Sequence, residues 1–382
     1  MKKLLVIGAA ALMAACGGQK EPAAPQLFDE QNFATELNGK PIGLFTLKNE
    51  NGMAVQLTNY GARIVDLWVP DKDGGFQDVV MGFETGDAYL NATDINNGPV
   101  VGRYGNRIGK GQFTLDGKDY QLTINDGENH LHGGTNGFGG KVWDAKMVKD
   151  ADGNDVVEMS YVSADGEEGY PGNLNITVSY TLTPKNELVI NYKATTDSAA
   201  TILNPTSHSY FNLHGTNEFS TNSHIMMINA DSFTPTDKGL IPTGEIVAVE
   251  GTPLDFRTPT AIGDRVDADF EAIKFGGGYD HNWVLNKPEA GAVSLAAEVY
   301  EPRTGIVMKV LTDQPGMQFY SGNFMNGKET GKRGNVNNYR SGIALETQNF
   351  PDAINHENFP SPILRAGETY NHVCVYAFEV RK

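Results

Sequence analysis

The chain of 382 residues carries a formal charge of −17, and its 40% hydrophobic content is ample for a large folded core. Binding to a phosphate backbone needs clustered Lys and Arg, and the sequence contains no basic run, so a nucleic-acid partner is excluded. A neutral or cationic ligand suits the charge better.

Lys2 and Lys3 precede an apolar run from Leu4 to Leu12, too short to cross a bilayer, and Ala14, Ala15 and Cys16 follow. This stretch resembles a bacterial lipoprotein signal peptide. The resemblance implies that residues 1–15 are removed and that the Cys16 thiol carries lipid. Residues 16–32, rich in Gly, Pro and Ala, then read as a flexible tether. The membrane would be reached only through that anchor, and the protein would sit in the cell envelope, on a periplasmic or surface face. Gly17, where inner-membrane retention is associated with Asp, points to the outer membrane. With Cys16 so used, Cys374 has no disulfide partner and reads as a small hydrophobe in an alternating terminal strand.

From residue 33 to 382 the chain reads as one domain of strands and turns, without a long amphipathic helix, a composition break or a fixed-period repeat. In QFTLDGKDYQLTI, Phe113 and Leu115 alternate before Asp116-Gly117, and Tyr120, Leu122 and Ile124 alternate after it, a hairpin signal. A second hairpin places Ile176, Val178, Tyr180 and Leu182 on one face before a turn at Pro184 to Asn186, with Leu188, Ile190 and Tyr192 beyond it. Another pair surrounds Pro302 to Gly305, and a last strand runs from Tyr370 to Val380. Many short-spaced strands predict an all-β protein, a large antiparallel sandwich.

Polar residues in unusual places mark the candidate chemistry. Asn106 and Arg107 lie in the Gly-rich segment VVGRYGNRIGKGQF, where a guanidinium can reach several hydroxyls of a ligand or simply face solvent. His130 and His132, at i and i+2, would share one face of a strand. A metal site there lacks a Cys pair, a second His-x-His or an acid at familiar spacing, so no metal is expected. In TILNPTSHSYFNLHG, Thr206, His208, Tyr210 and Asn212 would share a strand face; His208 is either a structural hydrogen-bonder or an acid awaiting a partner. Asp280 follows the turn marked by Gly276 to Gly278 and starts the next strand. In TDQPGMQFYSGNF, Gln314 and Gln318 are interleaved with Phe319 and Tyr320. Such rings stack on the apolar face of a sugar while amides bind its hydroxyls. Finally, SGIALETQNFPDAIN alternates Ile343, Leu345 and Thr347 with Ala344, Glu346 and Gln348. Its single acid must be solvated, paired or held in a cleft.

Together GRYGNRIGKG, NHLHGG, GEEGYPGNL, NPTSHSYFNLHG, PLDFR, GGYDHNW, TDQPGMQFYSGNF and SGIALETQNFPDAIN resemble the aldose 1-epimerase (galactose mutarotase) family. The resemblance runs from about Phe33 to Lys382. It implies a mutarotase-like sandwich that interconverts the anomers of aldohexoses such as glucose and galactose, without a cofactor. It also implies His208 as general acid, Glu346 as general base, and Asn106, Arg107, His132, Asp280 and Gln318 as sugar ligands. Ser207 departs from the family's frequent Asn before the His. At an ordinary carboxylate pKa, Glu346 is expected to be anionic at neutral pH, with His208 protonated beside it. Two alternatives are a glycoside hydrolase using Asp280 and Glu346 as a carboxylate pair, and a non-catalytic carbohydrate-binding lipoprotein.

Overall fold

Asp116 and Gly117 both take positive φ, 51° and 76°, as a two-residue type I′ turn requires. They join Gln112–Leu115 to Lys118–Gln121, with Leu115 opposite Lys118. This hairpin belongs to a computed structural model describing residues 24–197, 199–215 and 219–382. The second predicted hairpin is also present, pairing Leu174–Leu182 with Glu187–Thr196 so that Leu182 faces Leu188.

Those longer strands enter a nine-stranded antiparallel sheet. Its spatial order is Asp144–Lys149, Asp155–Ser163, Leu174–Leu182, Glu187–Thr196, Tyr370–Val380, Ile306–Thr312, Ser294–Tyr300, Ile225–Ile228 and Thr260–Ala261. A four-stranded sheet carries the N-terminal strands from Leu44 to Asp78. A six-stranded sheet is built around β1 (Asp280–Leu285), β2 (Gly316–Tyr320) and β3 (Ile343–Gln348), with Tyr210–Phe211 beside β3 and Ala230–Thr234 beside β1. Only short α-helices occur among the described residues, Gly86–Leu90 and Glu271–Gly276. The second ends where Gly277 takes φ +65°, a left-handed cap that glycine adopts without Cβ strain.

The two larger sheets pack face to face. Trp283, Phe319, Ile343 and Leu345 from β1–β3 join Tyr192, Val310, Tyr376 and Phe378 of the nine-stranded sheet in one buried apolar cluster. Phe211 and Tyr376 bring their rings to 4.8 Å, and the Tyr376 hydroxyl donates to the Leu345 carbonyl at 3.2 Å. Leu345 and Thr347 therefore face the core, and Ala344 and Glu346 the opposite side, as the alternation predicts. The opposite side is covered as well: every residue of β3 is buried.

Two expectations need correction. Residues 206–213 do not form a continuous strand: pairing breaks into Thr206–Ser207 and Tyr210–Phe211, leaving His208 and Ser209 between them. The tether also ends earlier than residue 32. The Phe28 N–H donates to Gln56 Oε1 at 2.7 Å, Gln56 Nε2 donates back to the Phe28 carbonyl at 3.0 Å, and the Arg333 guanidinium lies 4.6 Å over the Phe28 ring. Cys16 lies outside the described residues.

Leu345→Ala should destabilise the protein by about 3 kcal/mol, since it leaves a cavity in a fully buried position. Val162→Ala, at a residue 61% exposed, should change stability by less than about 0.5 kcal/mol. Urea unfolding midpoints of the two variants check this.

Candidate active site

Glu346 occupies the middle of β3, opposite Gln318 of β2, which in turn faces Asn282 of β1. This polar row lines the side of the sheet turned from the core. Glu346 is only 2% exposed. Burial pushes its carboxyl up to about 7; His208 and Arg107 oppose that rise and Asp280 adds to it. The expectation of an ordinary, fully ionised carboxylate is thus corrected: desolvation outweighs the neighbouring positive charges.

His208 places Nε2 3.6 Å from Glu346 Oε1, and its backbone N–H donates to the Pro99 carbonyl at 2.9 Å. Its ring meets Tyr210 edge to face at 5.0 Å. His208 Nδ1 and Glu346 Oε2 are buried without a hydrogen-bond partner in the protein.

Two buried side chains tie the segment carrying His208 to the strand carrying Glu346. Asn204 accepts from the Asn349 N–H at 2.8 Å and donates to the Gly105 carbonyl at 3.2 Å and the Asn349 carbonyl at 3.3 Å. It therefore joins the turn before Asn106, the end of β3 and the segment leading to His208. His372 contacts Thr347 Oγ1 through Nε2 at 2.9 Å and the Pro205 carbonyl through Nδ1 at 3.2 Å. Because a carbonyl only accepts, Nδ1 carries the proton and Nε2 accepts from Thr347.

Asn106 takes φ +61°, turning the chain so that its backbone N–H donates to His132 Nδ1 at 3.1 Å. That bond makes Nδ1 an acceptor, so the neutral ring presents Nε2–H as a donor. Burial, together with His208 and Arg107, holds the His132 pKa well below its ordinary value, keeping the ring neutral. Arg107 donates Nε to Asp126 Oδ2 at 2.8 Å, which orients its guanidinium.

The expected pairing of His130 and His132 on one strand face fails because the strand ends at Leu131 and His132 takes φ +52°. His130 turns inward instead, bonding the Thr123 carbonyl and the Tyr170 hydroxyl, each at 2.6 Å. His132, His208 and Glu346 do bring potential ligand atoms within 4.8 Å of one another. The His132 tautomer argues against a metal there, because its free ring nitrogen bears the proton.

These groups surround a cleft of about 410 Å³. Asn106, Arg107, His132, His208, Asp280 and Glu346 line it. Gln318 does not: it lies beneath, 4% exposed, and donates Nε2 to Asp280 Oδ1 at 2.7 Å. Gln314 bonds its neighbour Asp313 and is not in the lining. Ser207 pairs with Ser209 at 3.1 Å and is not among the lining residues.

The profile of the family described as aldose 1-epimerase matches residues 43–377. A galactose mutarotase of Sus scrofa is 44% identical over 336 residues, covering 88% of this chain and 94% of that protein. The chain belongs to the aldose 1-epimerase family. An aldose 1-epimerase of Escherichia coli strain K12 is 37% identical over 345 residues, covering 89% of this chain and 96% of that protein. The crystal structure of an aldose epimerase homologue from C. elegans superposes with a TM-score of 0.80 at 31% identity, covering 89% of this chain and all of that one. The protein is an isomerase with the mutarotase sandwich fold, and the hydrolase and binding-module alternatives yield to that membership.

The cleft is also lined by Thr93, Asp94, Asn96, Met325, Asn326, Glu329 and Asn337, which the motifs did not mark, with Tyr320, an expected stacking ring, and Tyr210 and Phe324 as aromatic walls. Tyr210 and Phe324 lay within segments already singled out, and Tyr210 shared the predicted face of His208. The loops around Asp94 and Glu329 carry no motif. Thr93 joins them, donating its N–H and hydroxyl to Glu329 Oε1 at 2.9 and 3.1 Å.

Asn204→Ala should lower stability by about 3 kcal/mol, since it strands buried partners on Asn349 and Gly105. It should also lower kcat at least about tenfold, because small displacements of positioned groups are costly. Chemical denaturation and polarimetry on the purified variant test the two effects.

Proposed function

We propose that the cleft interconverts the α and β anomers of aldohexoses such as glucose and galactose, with Glu346 as base and His208 as acid. The observation that carries this reading is the buried pair itself: a carboxylate tuned to about 7 and an imidazole 3.6 Å away. A general base near the operating pH combines a useful ionised fraction with real basicity.

The chemistry balances without a covalent intermediate. Glu346 takes the proton from the anomeric hydroxyl, the C1–O5 bond breaks, and the ring oxygen takes a proton from His208. The open-chain aldehyde turns about C1–C2. On reclosure the O5 hydroxyl attacks C1 from the other face, returning its proton to His208 while the carbonyl oxygen takes one from Glu346. Both groups end as they began, and the proton inventory calls for no cofactor.

The other lining groups supply binding. Neutral His132 donates Nε2–H, Arg107 offers the guanidinium hydrogens not used by Asp126, and Asn106 and Asp280 present polar groups to ring hydroxyls. Gln318 serves by fixing Asp280.

The N-terminal segment extends the proposal to location. We read Cys16 as the lipidated residue after removal of residues 1–15, with the enzyme held at the cell envelope, in the outer membrane, through that anchor. The sequence around Lys2, Lys3, Leu4 to Leu12 and Cys16 supports this.

Polarimetry of freshly dissolved α-glucose and α-galactose should show faster approach to equilibrium with the protein. Glu346→Gln and His208→Asn should each lower kcat by roughly a hundredfold to ten-thousandfold. Because Glu346 must be deprotonated to act and its pKa is raised to about 7, kcat/KM should rise with pH through that value and fall on the acid side. A profile flat between about pH 5 and 9 would contradict the assignment. For the anchor, metabolic labelling with a radiolabelled fatty acid should mark the native protein in bacterial cells, and Cys16→Ser should abolish the label.

A further inference from the structure

Phe324 lines the catalytic cleft although the residue is 61% exposed. It is tied to Tyr320 in two ways. The rings stack at 21° with centroids 6.0 Å apart, and the Phe324 N–H donates to the Tyr320 hydroxyl at 2.8 Å. Tyr320 is 8% exposed and belongs to the inner wall; Phe324 continues the same aromatic surface outward to the mouth.

The polar groups at the mouth suit a carbohydrate. Asn326 and Glu329 line the cleft with Phe324, and the two bonds from Thr93 hold the Glu329 carboxylate in place. An aromatic face takes the C–H side of a pyranose while amide and carboxylate oxygens accept from its hydroxyls. The inner cleft already holds a full polar set for one ring in Asn106, Arg107, His132, Asp280 and the acid–base pair. A cleft of about 410 Å³ is in the range that encloses a drug-sized ligand, whereas a single aldohexose has only about a dozen heavy atoms.

We propose that Phe324, Asn326 and Glu329 form a second sugar subsite, which holds the residue attached to a reducing-end aldose, so that reducing disaccharides are preferred substrates. The inference rests on the epimerase reading, since it places the reducing end at Glu346 and His208. Binding in the second subsite adds affinity without altering the proton transfers.

Maltose, cellobiose and lactose all end in glucose, so polarimetry can compare each with glucose itself on the native protein, Phe324→Ala and Phe324→Tyr. The expected result is that at least one disaccharide exceeds glucose in kcat/KM by about fivefold or more, that Phe324→Ala brings this ratio to near one, and that Phe324→Tyr retains it. Calorimetry with the methyl β-glycosides of glucose and of the preferred disaccharide, which cannot open, should show the same preference in Kd. The proposal is overturned if no disaccharide exceeds glucose, or if Phe324→Ala lowers glucose and disaccharide in parallel. Should the native protein accelerate no sugar, the epimerase reading fails. Calorimetry with methyl β-cellobioside against methyl β-glucoside then decides the subsite alone, equal affinities rejecting it.

Discussion

A carboxylate in the middle of a buried strand is the constraint on which the rest of this structure depends. Glu346 is almost wholly buried although it lines the cleft, and an unpaired charge in such a place would cost several kcal/mol. His208 and Arg107 offset part of that cost, and Asp280 adds to it. The balance leaves a group that is neither a firm acid nor a firm base near neutrality. That condition is unfavourable for a structural ion pair and useful for moving a proton in both directions.

Holding the balance requires that His208 and Glu346 stay in register although they come from distant parts of the chain. β3 is fixed from behind by the apolar cluster shared with the nine-stranded sheet. The segment with His208 has little strand pairing of its own, so it depends on side chains. Asn204, within that segment, reaches the continuation of β3, and His372, from the Tyr370–Val380 strand, bridges Pro205 and Thr347 of β3. His208 and Glu346 are thus positioned by groups that do not line the cleft.

The lining shows the same division of labour. Asp280 is held by Gln318 from below, His132 has its donor nitrogen selected by the Asn106 N–H, and Arg107 is aimed by Asp126. In each case a second group decides what the first can offer. Donors and acceptors whose directions are set before the ligand arrives need not be reorganised during reaction.

Much was legible in the sequence because it depends on neighbours along the chain. Asp116-Gly117 dictates its turn through local φ preferences, and the alternation around Leu345 and Glu346 assigns the two faces of β3 whatever packs on them. The series of motifs was enough to name the family and to single out His208 and Glu346, which the fold places 3.6 Å apart. Only the tertiary structure decided the raised pKa of Glu346, because desolvation depends on what covers a face and not on which residues alternate. It also separated His130 from His132, lowered Gln318 beneath the cleft, and brought the motif-free loops of Asp94 and Glu329 to its mouth. The physical reason is range: turn chemistry and periodicity act over a few residues, whereas burial, charge pairing and the walls of a cleft are made through space by segments hundreds of residues apart.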